Sequence, residues 1–174
     1  MPFALRTAPR TADIELLSML SPLQLTPERL AFLTAYTIKH VGRYNDTIRN
    51  SSPQDVAARI RLSAPTSYEL GDWQGVASFF PIYPGHDAAA HVAVWDPLFM
   101  RRPQFGRFIF KHVFSRWHLR KIYTCIPEPH RLANQLAERM GMTLEGRLRH
   151  AFMYNGKPVT GMYWGMLKEE AHHG

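Results

Sequence analysis

Cysteine is nearly absent from this chain: Cys125 is the single one in 174 residues. One thiol excludes an intramolecular disulfide framework and a cysteine-rich zinc site, and a cytoplasmic setting is the expectation. No apolar run approaches the ~20 residues that span a bilayer, so no membrane partner is expected. Met1 to Arg10 lacks the apolar stretch of a secretory signal. The Gly-x-x-x-x-Gly-Lys phosphate loop, the Gly-x-Gly-x-x-Gly dinucleotide loop and the Gly-x-Ser-x-Gly elbow are all missing. The nine histidines offer no metal site, since His86 and His91 lack helical i, i+4 pairing and His172 and His173 stand in the tail.

Acid is missing too, but only from one stretch. Between Pro97 and Pro127 there is no Asp or Glu, while Arg101, Arg102, Arg107, Lys111, Arg116, Arg120 and Lys121 all fall there. The net charge of the whole chain is +7, so the remainder is about neutral. One region is built to attract a polyanion. Phe105, Phe108, Phe110, Phe114 and Trp117 interleave with these cations at helical spacing, which marks a core rather than a stacking surface. That counts against nucleic acid as the partner; an acidic protein, an anionic membrane surface and a phosphate-bearing cofactor all fit the charge.

The pattern of turns and apolar periods gives the elements. Phe3 to Thr7 reads as a strand, and Thr11 caps a helix through Leu20. Thr26, Pro27 and Glu28 open a helix with Leu30, Leu33, Tyr36 and Ile38 along it, towards His40. Asn45 to Pro53 reads as a loop, after which Ser52 and Pro53 start a helix carrying Val56, Ala57 and Ile60. Ser67 to Leu70 and Gly75 to Tyr83 form a hairpin about Gly71-Asp72. Ala90 to Trp95 is a strand and Phe105 to Trp117 a helix. Lys121 to Ile126 is a strand, and Pro129 opens a helix with the stripe Leu132, Ala133, Leu136, Ala137 and Met140, closed by Gly141. Arg147 to Tyr154 and Met162 to Leu167 are strands. Pro158 argues against a tight two-residue turn at Asn155-Gly156. This order implies an α/β (α+β) fold with a mixed sheet and a β-α-β crossover. A single domain over 1–174 is expected, with 1–66 helical and 67–169 forming the sheet and core.

Trp95-Asp96-Pro97, then Arg101, Gln104 and Gly106 before an apolar helix, resemble the GNAT superfamily of acyl-CoA-dependent N-acyltransferases. There a Val-Asp-Pro-like strand end precedes an Arg/Gln-x-x-Gly-x-Gly/Ala loop. Gln104 stands where the first glycine would be, and Gly106 matches the second. His130 and Ala133 align with the family's Asn-x-x-Ala/Ser pattern, His130 standing at the Asn position, and Gly141-Met142 aligns with its Gly-Phe. Glu145-Gly146, Arg149 and Asn155-Gly156 look like the branch that acetylates protein N-termini, ribosomal proteins included. The resemblance runs from about Ser67 to Glu169. It implies a mostly antiparallel central sheet flanked by helices, with acetyl-CoA as cofactor and a primary amine, on a protein or a small molecule, as acceptor.

On that resemblance the cofactor contacts are Val94, Trp95, Arg101, Arg102, Gln104, Phe105, Gly106, Arg107, His130 and Asn134. The physical reason is that a helix N-terminus presents unpaired N–H groups and a positive dipole end to phosphate, although Pro103 supplies no N–H. The strand before it would splay from its neighbour and offer its amides to the pantetheine arm. The acceptor amine must lose a proton and the leaving sulfur must gain one. His91 is the candidate base, because a histidine titrates near neutrality; Glu69 and His86 are weaker candidates. The family's tyrosine acid falls at Ala137, which leaves open a binding or assembly protein without chemistry on the same fold. The sequence sets no oligomeric state.

Overall fold

The computed structural model describes residues 19–96 and 103–172. Seven strands form one sheet: β1 (Leu20–Pro22), β2 (Ser67–Leu70), β3 (Gly75–Tyr83), β4 (Asp87–Val94), β5 (Lys121–Pro127), β6 (Thr143–Tyr154) and β7 (Lys157–Leu167). Their spatial order is β1-β2-β3-β4-β5-β7-β6, antiparallel except at β4–β5. The α/β class and the mixed, mostly antiparallel sheet expected from the sequence are present, with the β-α-β crossover at β4–β5.

Helices cover both faces. On one lie α4 (Pro103–Trp117) and α5 (Arg131–Arg139), and the short α6 (Lys168–His172) follows β7. Phe105, Ile109, Phe110, Val113 and Phe114 are each at most 1% exposed, and they pack with Phe79, Leu70, Ile122 and Met166. Phe79 and Phe110 meet edge to face at 6.1 Å. The period of those apolar residues along α4 is the reason it is a helix here: one turn of 3.6 residues brings them all to the sheet.

The other face carries α1 (Pro27–Tyr36), a π-helical turn (Thr37–Val41), α2 (Asp46–Arg49) and α3 (Pro53–Ser63). Thr26 Oγ1 caps α1 by accepting from the Arg29 amide at 3.3 Å, and Ser52 Oγ caps α3 by accepting from the Asp55 amide at 3.1 Å. Both caps hold an otherwise orphaned donor.

Several expectations need correction. Leu20 belongs to a strand, paired with Leu70, and not to a helix; the first strand and the start of that helix lie outside the described residues. The polar stretch after Tyr44 contains α2, one turn capped by Asn45. β4 begins at Asp87, because the turn at Gly85 (φ 79°) is complete by then. The helix expected at Pro129 starts at Arg131 and turns Leu132 outward, 66% exposed. The β6–β7 turn is the tight two-residue kind after all, with Asn155 (φ 51°) and Gly156 (φ 70°) between Tyr154 and Lys157. Pro158 faces Met153, the pair next to the hydrogen-bonded one, where no N–H is needed. The β5 ladder also stops short of it, at Pro127–Gly161.

Candidate active site

Parallel β4 and β5 stay together for three residue pairs only: Asp87–Lys121, Ala88–Ile122 and Ala89–Tyr123. Beyond these β4 keeps its ladder to β3 as far as Val94–Gly75, and β5 keeps its ladder to β7 as far as Pro127–Gly161. The sheet therefore opens into a V between its two halves.

Antiparallel pairing decides what the V contains. Trp95 donates its backbone N–H to the Gln74 carbonyl at 3.1 Å. Alternate residues back along β4 face β3 in the same way, so Val92 and Val94 turn their N–H and C=O groups into the gap. The Val94 carbonyl accepts from the Tyr36 hydroxyl at 3.0 Å, as a group turned away from β3 can. The chain then enters α4 at Pro103, so a helix N-terminus follows this strand within nine residues.

The segment from Tyr36 to Tyr44 roofs the mouth of the V. At the β4 bank the Tyr36 ring packs against Trp95 at 5.6 Å, within an aromatic group that includes Phe32 and Trp73. At the other bank Tyr44 stacks on His130 at 4.2 Å and 11°. Between these anchors the helix widens to a π-turn, a distortion often found at functional sites. Burial raises the Tyr36 phenol pKa, so it is protonated at neutral pH.

Beneath the roof a cavity of about 410 Å3 lies on β3 and β4, bounded by Leu33, Val41, Val56, Ile60, Ser78 and His91. His91 is two residues past the last β4–β5 pair, its Nε2 3.2 Å from the Phe80 carbonyl. The ring is accessible through the cavity but hemmed in by its walls. The lost solvation pulls its pKa below 6.5, and the Phe80 contact opposes that shift. The His91 imidazole is thus neutral at physiological pH.

The other expected site residues fall in three groups. Gln104, Phe105 and Gly106 stand in the first turn of α4. The Phe105 side chain is core, and a Cβ on Gly106 would meet Met140 Cγ at 2.5 Å, so this glycine also lets α4 and α5 approach. Arg101 and Arg102 lie outside the described residues. Arg107 turns away from the mouth: its Nε is 3.4 Å from the Met140 carbonyl and its guanidinium covers Gly141, satisfying the end of α5.

Trp95 commits its indole N–H to the Trp73 carbonyl at 2.6 Å. Asn134 is likewise engaged, donating to the Pro127 and His130 carbonyls and accepting from Trp164 Nε1 at 2.9 Å. Glu69 is on the same sheet face as His91 but two strands away and two residues along, about 12 Å. It pairs with Arg29 and accepts from the Gln24 amide at 2.8 Å. His86 sits in the β3–β4 turn against Arg120, at the closed end of the V. Tyr36 was not among the expected site residues. Its helical spacing with Leu33 reads as core, and only the tertiary contact to Val94 reveals it.

No protein-family model matches the chain, and no curated protein matches it. Solved structures do. RimL, a ribosomal L7/L12 α-N-protein acetyltransferase in complex with coenzyme A, superposes with a TM-score of 0.67 at 16% identity, covering 88% of this chain and 96% of that one. The spermidine N-acetyltransferase from Vibrio cholerae, in complex with CoA and spermine, gives 0.66 at 17% identity over 90% and 99%. An acetyltransferase of the GNAT family from Bacillus anthracis gives 0.62 at 12% over 86% and 94%. The chain shares the fold of these acetyltransferases. The likeness takes in the N-terminal helices, which the sequence resemblance had left out.

Proposed function

We propose that this protein transfers an acetyl group from acetyl-CoA to a primary amine. The observation that carries the reading is the V between β4 and β5, with two β4 amides turned into it and a helix N-terminus directly after. A linear arm bearing amides fits the first, and a diphosphate fits the second. Structures of the same fold carry coenzyme A. In this reading Val92 and Val94 hold the pantetheine arm, and the amides of Gln104 and Gly106 meet the diphosphate, with Arg101 and Arg102 adding charge.

Acetyl-CoA supplies the acetyl carbon as a thioester. The cavity below Tyr36 holds the amine, and neutral His91 takes its proton. Nitrogen then bonds to the acetyl carbon as the carbon–sulfur bond breaks. Tyr36, still a phenol, gives its proton to the departing sulfur, and its phenolate takes back the second proton that the newly bonded nitrogen sheds. Ala137 is 4% exposed and has no proton to give, so the acid comes from the roof instead of α5. Holding both reactants in line contributes about 7–11 kcal/mol towards the barrier.

Calorimetry with acetyl-CoA and a thiol-release assay with a panel of amines test this. Binding with thiol release supports transfer. Binding without release for any amine supports the second reading, a cofactor-binding or assembly protein, which Ala137 favours. Absence of acetyl-CoA binding overturns both the transfer and the site.

A further inference from the structure

Beside Tyr44 a second concavity of about 480 Å3 is bounded by Lys39, Gly42, Arg43, Tyr44, Arg49 and Tyr154. It lies between the π-turn, α2 and the tip of the β6–β7 hairpin. Tyr44 belongs to both this pocket and the mouth of the V, since its ring stacks on His130. A molecule whose amine reaches the V past Tyr44 therefore brings its next atoms into this pocket.

The pocket is cationic. Lys39 and Arg43 are exposed, and neither pairs with a carboxylate among the described residues. Arg49 is spoken for: it binds Asp46 at 3.2 Å, the Gly42 carbonyl at 3.0 Å and Asn155 Oδ1 at 3.0 Å. Asp46 is equally occupied, accepting from the Asn155 and Gly156 amides. Arg49 and Asp46 thus cancel and lock the pocket wall, while Lys39 and Arg43 leave an uncompensated double positive charge. The neighbouring His40 reports the same field, since lost solvation and then Lys39 and Arg43 lower its pKa. On the β4 side Glu69 is paired with Arg29, and Asp96 accepts from the Gln74 side chain at 2.5 Å.

From this we infer that the acceptor is an amine on a molecule that also carries carboxylates close to that amine, held by Lys39 and Arg43, and that polyamines are poor acceptors. The inference rests on the transfer reading above and names its substrate class. Among the described residues a polycation would meet two like charges at the mouth, and no carboxylate lines the pocket to bind it; the neighbouring Asp46 is already paired by Arg49. A carboxylate there gains charge-assisted hydrogen bonds to both side chains, with the Tyr44 and Tyr154 hydroxyls beside them.

The test uses the full chain, one peptide with aspartates after its N-terminal residue, one with lysines there, free aspartate, and spermidine. Peptide binding is measured without acetyl-CoA, and kcat/KM with it. The aspartate peptide binds at least about tenfold tighter than the lysine peptide at low salt, and the gap narrows as salt rises. The double variant K39E/R43E, with its unfolding midpoint checked, abolishes the preference; K39R/R43K keeps it. Free aspartate turning over as well as the aspartate peptide marks a small-molecule acceptor, and a clear peptide advantage marks a protein N-terminus; either supports the inference. Equal binding of the two peptides, a spermidine preference, or no change in K39E/R43E overturns it. Calorimetry with acetyl-CoA alone fails only if the transfer reading fails, so the two failures are told apart.

Discussion

The two faces of the sheet are packed to different standards. Under α4 the side chains interlock, with Phe79, Phe110, Val113, Phe114 and Ile122 all at most 1% exposed. Under α1 and α3 only Leu33, Thr34 and Val56 of the covering helices are buried, and a cavity remains. One face holds the fold together; the other leaves room for a reactant. The V joins them, because the gap between β4 and β5 cuts through the sheet that both faces share.

If that division is right, the largest stability loss comes from the α4 face. Phe110→Ala should cost about 3–5 kcal/mol in denaturant unfolding, the range for emptying an aromatic site in a tight core. Tyr36→Phe removes one hydroxyl from the looser face. It should change stability by about 1 kcal/mol at most while lowering kcat by about 10²-fold. Equal stability losses in the two variants would break the comparison.

His91 gives a sharper version through pH. Because its pKa lies below 6.5, kcat/KM should be flat above neutrality and fall as pH drops through that depressed value. His91→Gln should abolish this acid limb and lower the plateau by about 10²-fold. A limb that persists in the variant would assign the base elsewhere.

A smaller effect concerns stability itself. His40, His91, His112 and His130 all have lowered pKa values, each mainly from lost solvation. The unfolded chain therefore takes up protons first as pH falls. The melting temperature should be level above about pH 6.5 and decline below it. His91→Gln should shallow that decline, and an unchanged curve would contradict the burial assigned to the ring.

Much of the fold was legible because it depends on local signals. The Thr26 and Ser52 caps, the α4 period and the glycine at 141 are each read within a few residues. The site was less so. The V was expected from the resemblance, but its depth depends on where the β4–β5 ladder stops, a fact of pairing between distant strands. Arg107 looked like a phosphate ligand because it sits among cations; its contact to Met140 is 33 residues away. Asn134 and Glu69 likewise meet partners that no spacing announces. α2 is a single turn, too short for any period to show.

The most direct measurement is hydrogen exchange at the Val92 and Val94 amides, with and without acetyl-CoA. Both amides should exchange readily in the free protein and become protected when acetyl-CoA binds, while the Trp95 amide, bonded to Gln74, stays protected throughout. Protection of Val92 and Val94 without ligand, or no change on binding, would contradict the site.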